Sequence, residues 1–225
     1  MKSILKKMIG EKIKLQLPGK KTLAGMLIEV GSDVLVLFDG KDYLYLPIVH
    51  IQNITTKLDP NEDEISAPTG TPNIDHDEEL SLRKVLNLGK GMFTEIYITG
   101  NQPIPGYISS IMNNYFVFYS PVYKTMLVSL NHLKWLIPYT ASQRPYSLTN
   151  QQLPLNPLNI SLARTLEVQI EKMTNELVIL NIGENPNFIG KLNSLQNNFI
   201  ELITAREETV YLNMQHVQTV HFTNL

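Results

Sequence analysis

The sequence predicts a mainly β protein: three tandem five-stranded small barrels, each preceded by a short α-helix. Three observations carry that prediction. A glycine-centred block recurs without gaps at Gly25, Gly106 and Gly190. An alternating apolar segment closing on a glycine precedes each block, and each repeat ends on a histidine, at His50, His132 and His216. Self-similarity at such a period marks a repeated supersecondary unit.

The elements follow in chain order. Ser3, Ser81 and Ser161 each precede an apolar pair four residues apart, Ile4/Met8, Leu82/Leu86 and Leu162/Leu166. A serine N-cap ahead of an i, i+4 pair describes a short amphipathic helix. Next come Ile13, Leu15 and Leu17; Ile96 and Ile98; and Val178, Leu180 and Ile182, running into Gly19, Gly100 and Gly183. Period-two alternation into a glycine turn predicts an antiparallel hairpin. Eight residues past each block glycine stands a turn former, Asp33, Asn114 or Asn198, and a strand-like run opens directly after it at Val34, Tyr115 and Phe199. The endings Tyr45–Ile51, Leu127–Leu133 and Tyr211–Val217 align, with Ile54, Leu136 and Val220 beyond them at one offset.

The expected units are 1–56, 80–137 and 161–225. So many bent strands in so few residues avoid bare edges by curling into a barrel. Residues 57–79 hold eight acidic residues and no aromatic one, the composition of a solvated, mobile linker. Residues 138–160, rich in Pro, Asn, Gln and Ser, form a second linker in which Leu153, Leu155 and Leu158 could dock.

The net charge of −2 supplies no global field for nucleic acid, and the absence of cysteine excludes disulfides, thiolate chemistry and cysteine-based zinc sites. No apolar run approaches the length of a membrane helix, and Met1–Gly10 is no signal peptide. The expectation is a soluble chain made in the cytoplasm, with no membrane partner.

A short helix, five strands and a glycine-centred second strand resemble the Sm-like fold, an SH3-like small barrel. The repeated ending of Tyr or Leu, an apolar residue, His and two further apolar residues is similar, more specifically, to the spore coat protein B family of bacilli. That resemblance implies a coat component acting through protein assembly. Members of that family carry a Ser- and Lys-rich tail after the third repeat. Residues 221–225, which follow Val220, carry no such stretch, so no role tied to the tail is expected from the resemblance. Ring-forming Sm proteins place Asp and Asn six and ten residues after the glycine to hold a base. Here those positions are Gly31, Met112 and Gln196, then Leu35, Phe116 and Ile200. The resemblance thus supports the fold and undercuts RNA binding.

The candidate chemistry is sparse. One histidine per repeat without companion ligands is poor metal design, and an imidazole bonding a turn carbonyl is the simpler role. The run Asp75–Glu79 lacks the spacing of a calcium loop. Lone acids such as Glu95 and Glu201 have no evident catalytic partner. Lys12, Lys14, Lys20 and Lys21 are the best phosphate candidates, with edge protection as their plainer role. Aromatic residues crowd the second unit, and Tyr107, Tyr119, Tyr123 and Trp135 are expected to anchor protein contacts. The sequence therefore predicts no enzyme, cofactor, catalytic residue or metal site. It predicts a structural or interaction protein that binds itself or other proteins, coat proteins among them, and Sm-like RNA binding is the alternative.

Overall fold

The structure is a computed structural model that describes residues 2–57, 65–72, 74, 76, 78–98, 103–140, 143, 145–147 and 161–222. Leu153, Leu155, Leu158 and Gly100 lie outside the described residues. In chain order the elements are α1 (Lys2–Lys7), β1 (Lys12–Leu17), β2 (Lys21–Val30), β3 (Val34–Phe38), β4 (Tyr43–Pro47) and β5 (Asn53–Thr55). Then come α2 (Leu82–Leu88), β6 (Phe93–Tyr97), β7 (Ile104–Ile111), β8 (Tyr115–Ser120), β9 (Lys124–Ser129) and β10 (Trp135–Pro138). The last are α3 (Leu166–Glu171), β11 (Leu177–Leu180), β12 (Ile189–Gln196), β13 (Phe199–Ile203), β14 (Thr209–Asn213) and β15 (Thr219–Phe222). The fold is mainly β, with every described strand pairing antiparallel.

Two of the three helix starts differ from the expectation. Ser81 does cap α2, accepting from the Lys84 N–H at 3.2 Å. Ser3 lies inside α1, however, and Thr165 rather than Ser161 caps α3. The reason is register with the core. Leu5, Leu86 and Ile170 stand at one offset before the block glycines, and all three are buried. An amphipathic helix is positioned by the residue it buries more than by the cap.

The block glycines are required sterically. A Cβ on Gly25, Gly106 or Gly190 would stand 2.5, 2.2 or 2.5 Å from the carbonyl oxygen of Phe38, Tyr119 or Ile203 on the neighbouring strand. Two residues later each strand carries a register shift, at Leu27/Glu29, Ile108/Ser110 and Leu192/Ser194. A bulge at one shared position bends and twists the strand at the same point in each repeat. The bend is a repeated sequence feature.

By internal contact the chain forms two compact units, residues 1–104 with 134–145, and residues 105–133 with 146–225. The unit boundary falls inside the second repeat. In the first unit the strands run β6-β10-β4-β3-β2-β1-β5, and in the second β14-β13-β12-β11-β15-β9-β8-β7. Ile13, Leu15 and Leu17 of β1 point into the first core, beside Leu5, Leu27, Leu35 and Leu46, with Tyr97 and Trp135 from the second repeat. Ile200, Leu202, Val178 and Leu180 build the second core, joined by Tyr115, Val117 and Leu127. Each core therefore takes strands from two repeats.

The segment expected to be a solvated linker holds contacts of its own. The Ile74 N–H donates to the Tyr45 hydroxyl at 3.3 Å, and Ile74 is buried. The Tyr43 hydroxyl donates to the Gly70 carbonyl, Lys2 pairs with Glu79, and His76 lies 3.1 Å from Glu29. Asp75, Asp77 and residues 58–64 lie outside the described residues.

Candidate functional site

Successive repeats are joined by one strand junction, used twice. In the first unit β10 lies on β4 with Leu136 opposite Tyr45. In the second, β15 lies on β9 with Val220 opposite Leu127, flanked by Thr219 opposite Val128 and His221 opposite Met126. Leu136 and Val220 occupy the same repeat position, as do Tyr45 and Leu127, so both junctions keep one register. The turn after the second strand completes each junction. Asp33 accepts from the Leu82 N–H at the start of α2 at 2.7 Å, and Asn114 Oδ1 accepts from the Leu166 N–H at the start of α3 at 2.8 Å. Asn114 Nδ2 also donates to Glu167, at 2.9 Å to the nearer oxygen. Burial pushes the Glu167 carboxyl up, but the hydrogen bonds from Asn114, its own backbone and Thr165 outweigh this and hold it below the usual range.

The first junction covers its strands completely. Every residue of β3 and β4 is buried. Burial pushes the hydroxyls of Tyr45 and Tyr115 up to about 12. Tyr115 donates to the Ala163 carbonyl, just ahead of α3, at 2.7 Å.

The third copy of the junction has one side only. Among the described residues β14 pairs with β13 alone. Asn198, the third turn residue, donates to Asn213 within its own repeat. Phe199 is 45% exposed and Tyr211 65%, although their counterparts Val34, Tyr115, Tyr45 and Leu127 are all fully buried. Between them lies Glu201, at the position of Val36 and Val117. Hydrogen bonds from Asn193, Ser194 and Tyr211 hold its carboxyl below the usual range. Apolar rings flanking a solvated carboxylate make a surface suited to a polar-rimmed protein contact.

The residues singled out from sequence are placed differently from one another. Trp135 is no surface anchor: it is 5% exposed and stacks on Tyr97 with ring centroids 3.8 Å apart. It binds the second repeat to the first within one chain. Tyr107 and Tyr119 face each other across β7 and β8, half-buried, and Tyr123 meets His221 edge-on at 6.3 Å. Lys21 lies 5.5 Å above the Tyr97 ring, while Lys20 is exposed in the first hairpin turn; Lys12 and Lys14 alternate with core residues on β1.

The histidines mark the junctions. His50 is buried with Lys134 Nζ 3.3 Å from its Nδ1, and burial pushes that lysine's pKa down. His132 Nε2 lies 2.8 Å from the Gln215 carbonyl, so its turn-carbonyl partner comes from the following repeat. His216, in the third copy, is exposed. Among the described residues no three His, Asp or Glu side chains converge as a metal site. A polar groove in the second unit is lined by Asn114, His132, Glu167, Asn198 and Gln215. Its Glu167 and His132 are already engaged by Asn114 and Gln215.

Phe199 and Tyr211 are what sequence reasoning missed, and the repeat alignment held the signal. Valine, valine, glutamate at positions 36, 117 and 201 says that the third copy of this face meets water. No described helix is long and apolar enough to cross a membrane.

Comparison with known proteins bears on the whole chain. Residues 165–220, from the cap of α3 into β15, match the family model of the YwrJ third domain. The chain is 38% identical over 226 residues to the uncharacterized protein YwrJ of Bacillus subtilis (strain 168), spanning 96% of this chain and 98% of that protein.

Proposed function

The chain belongs to the YwrJ family, and from that premise we propose that it is a non-enzymatic interaction protein that assembles with other protein chains in a spore-coat-like layer. Its three strand sets are bent, Sm-like small barrels linked in series. The coat setting rests on the resemblance of the repeat endings, and the mode of action rests on the surface. One observation carries it: the β13–β14 face bears exposed Phe199 and Tyr211 where the two equivalent faces are buried under neighbouring chain. A face that the fold covers twice and leaves open once is a place for a partner. The acids outside this face weigh against catalysis, since Glu95 accepts from Tyr139 and Glu167 from Asn114. RNA binding finds less support, because Leu35, Phe116 and Ile200 are core residues with no exposure to offer a base.

The test is a titration of labelled single-stranded RNA at low and moderate salt, alongside the solution mass of the protein and its binding to purified coat proteins. The expected result is no salt-sensitive RNA binding together with association between protein chains. Tight RNA binding that falls steeply with salt would overturn the proposal in favour of phosphate recognition. Deleting residues 80–137 is no substitute, because it strips Trp135 and Ile137 from the first core.

A further inference from the structure

We propose that β14 is the docking edge for β5 of a second copy of this chain, in the register that sets Tyr211 opposite Ile54. This rests on the assembly reading above and names its partner. The chain already contains the joint twice. Leu136 faces Tyr45 and Val220 faces Leu127. Each pair joins the residue four after one repeat's histidine to the residue five before the histidine of the repeat ahead of it. Applied to the two strands left over, the same rule pairs Ile54 with Tyr211. Those strands have edges to offer: among the described residues β5 pairs only with β1 and β14 only with β13.

Two further observations favour a second copy. Edges that must stay single are blunted by charge, proline or a bulge. Thr209–Asn213 contains no charged residue and no proline, and its ladder with β13 has no register shift. Charge also orients the contact. Residues 1–56 hold eight Lys or Arg against five Asp or Glu, a net +3, and residues 161–225 hold four against seven, a net −3. Opposite ends of opposite sign favour head-to-tail encounter and suppress like-to-like pairing. The contact is heterologous, with the β14 of one copy on the β5 of the next, so it continues from chain to chain unless it closes on itself.

The natural absence of cysteine makes the test clean. Ile54→Cys and Tyr211→Cys proteins are mixed and mildly oxidised. Facing residues of an antiparallel pair have Cα atoms about 4.5–5.5 Å apart, within disulfide reach. The expected result is a mixed disulfide dimer about tenfold more abundant than with Val210→Cys, whose side chain takes the opposite face of the strand. The mass of the unmodified protein should also rise over about a hundredfold range of concentration, as mass action requires, and Tyr211→Lys should abolish that rise. Equal cross-linking in the two mixtures, or none, with native near-ultraviolet circular dichroism for each variant, overturns the proposal. If the unmodified protein still associates, or binds a purified coat protein, only the docking of β5 has failed. If it stays monomeric and binds RNA with steep salt dependence, the assembly reading has failed as well.

Discussion

The β3–β4 and β13–β14 hairpins pair residue for residue in the same register, Val36 opposite Tyr45 and Glu201 opposite Tyr211. Yet the first is buried throughout and the second is wet on one face. Backbone pairing is set locally, by alternation and by the turn at Asp33 or Asn198. Burial is set at a distance, by whatever is laid on the outer face. Over Tyr45 that is Ile74 and β10; over β13–β14 no described residue plays that part. Covering a valine or leucine side chain contributes about 1.5–3 kcal/mol, and leaving a carboxylate unpaired under the same cover costs more than that. Position 201 therefore tracks the cover.

The strongest way to break the comparison is to remove what covers the first unit. Trp135→Ala should cost about 4 kcal/mol, read by urea unfolding, because it deletes a stacked indole from a closed core. A loss no larger than that of Tyr211→Ala, which should stay within about 0.5 kcal/mol, would show that the two faces are not different. A swap sharpens the point. Val36→Glu should destabilise by about 3 kcal/mol, whereas Glu201→Val should leave stability within about 0.5 kcal/mol and increase self-association. Asn114→Ala comes next, at about 1.5 kcal/mol, since it takes the acceptor from the Leu166 N–H at the start of α3 and the Asn114 hydrogen bonds from Glu167.

The smallest expected effect is one of pH. Burial holds His221 below the ordinary histidine value of 6.5, with a Tyr123 backbone hydrogen bond pulling weakly the other way. The unfolded chain then takes up a proton that the native fold resists. Stability that is complete above pH 6.5 is lost as pH falls below it toward the depressed native value. Thermal unfolding at about pH 7.5 and about pH 5 should show the loss, and His221→Gln should flatten it. Ile137 holds the equivalent position in the first unit and contributes no such limb.

Much of this architecture was legible because it is local. The block glycines, the alternation of β1 and the turn formers act within a few residues, and each recurs at the expected place. The helix starts were legible only in part. A serine before an apolar pair is common, and the buried Leu5, Leu86 and Ile170 decide the register instead. The junctions were not legible. Nothing in the period of β4 says that its free edge will take β10 rather than close on its own repeat. Trp135 suffered the same way, since a ring that serves a neighbouring repeat reads from sequence like a ring that serves a partner. The open face was readable only by comparing repeats column by column, where one carboxylate replaces two valines.

The first unit is completed by residues 134–145, and that sets an order of events during synthesis. A ribosome releasing the first hundred residues has not yet delivered Trp135 or Ile137, so the earliest core waits, unsealed, for a strand still to be translated. At about 5–20 residues per second the delay is a matter of seconds. During that interval the bare edge of β4 is open to any neighbouring nascent chain carrying the same repeat, and swapping between growing copies becomes a hazard of crowded polysomes.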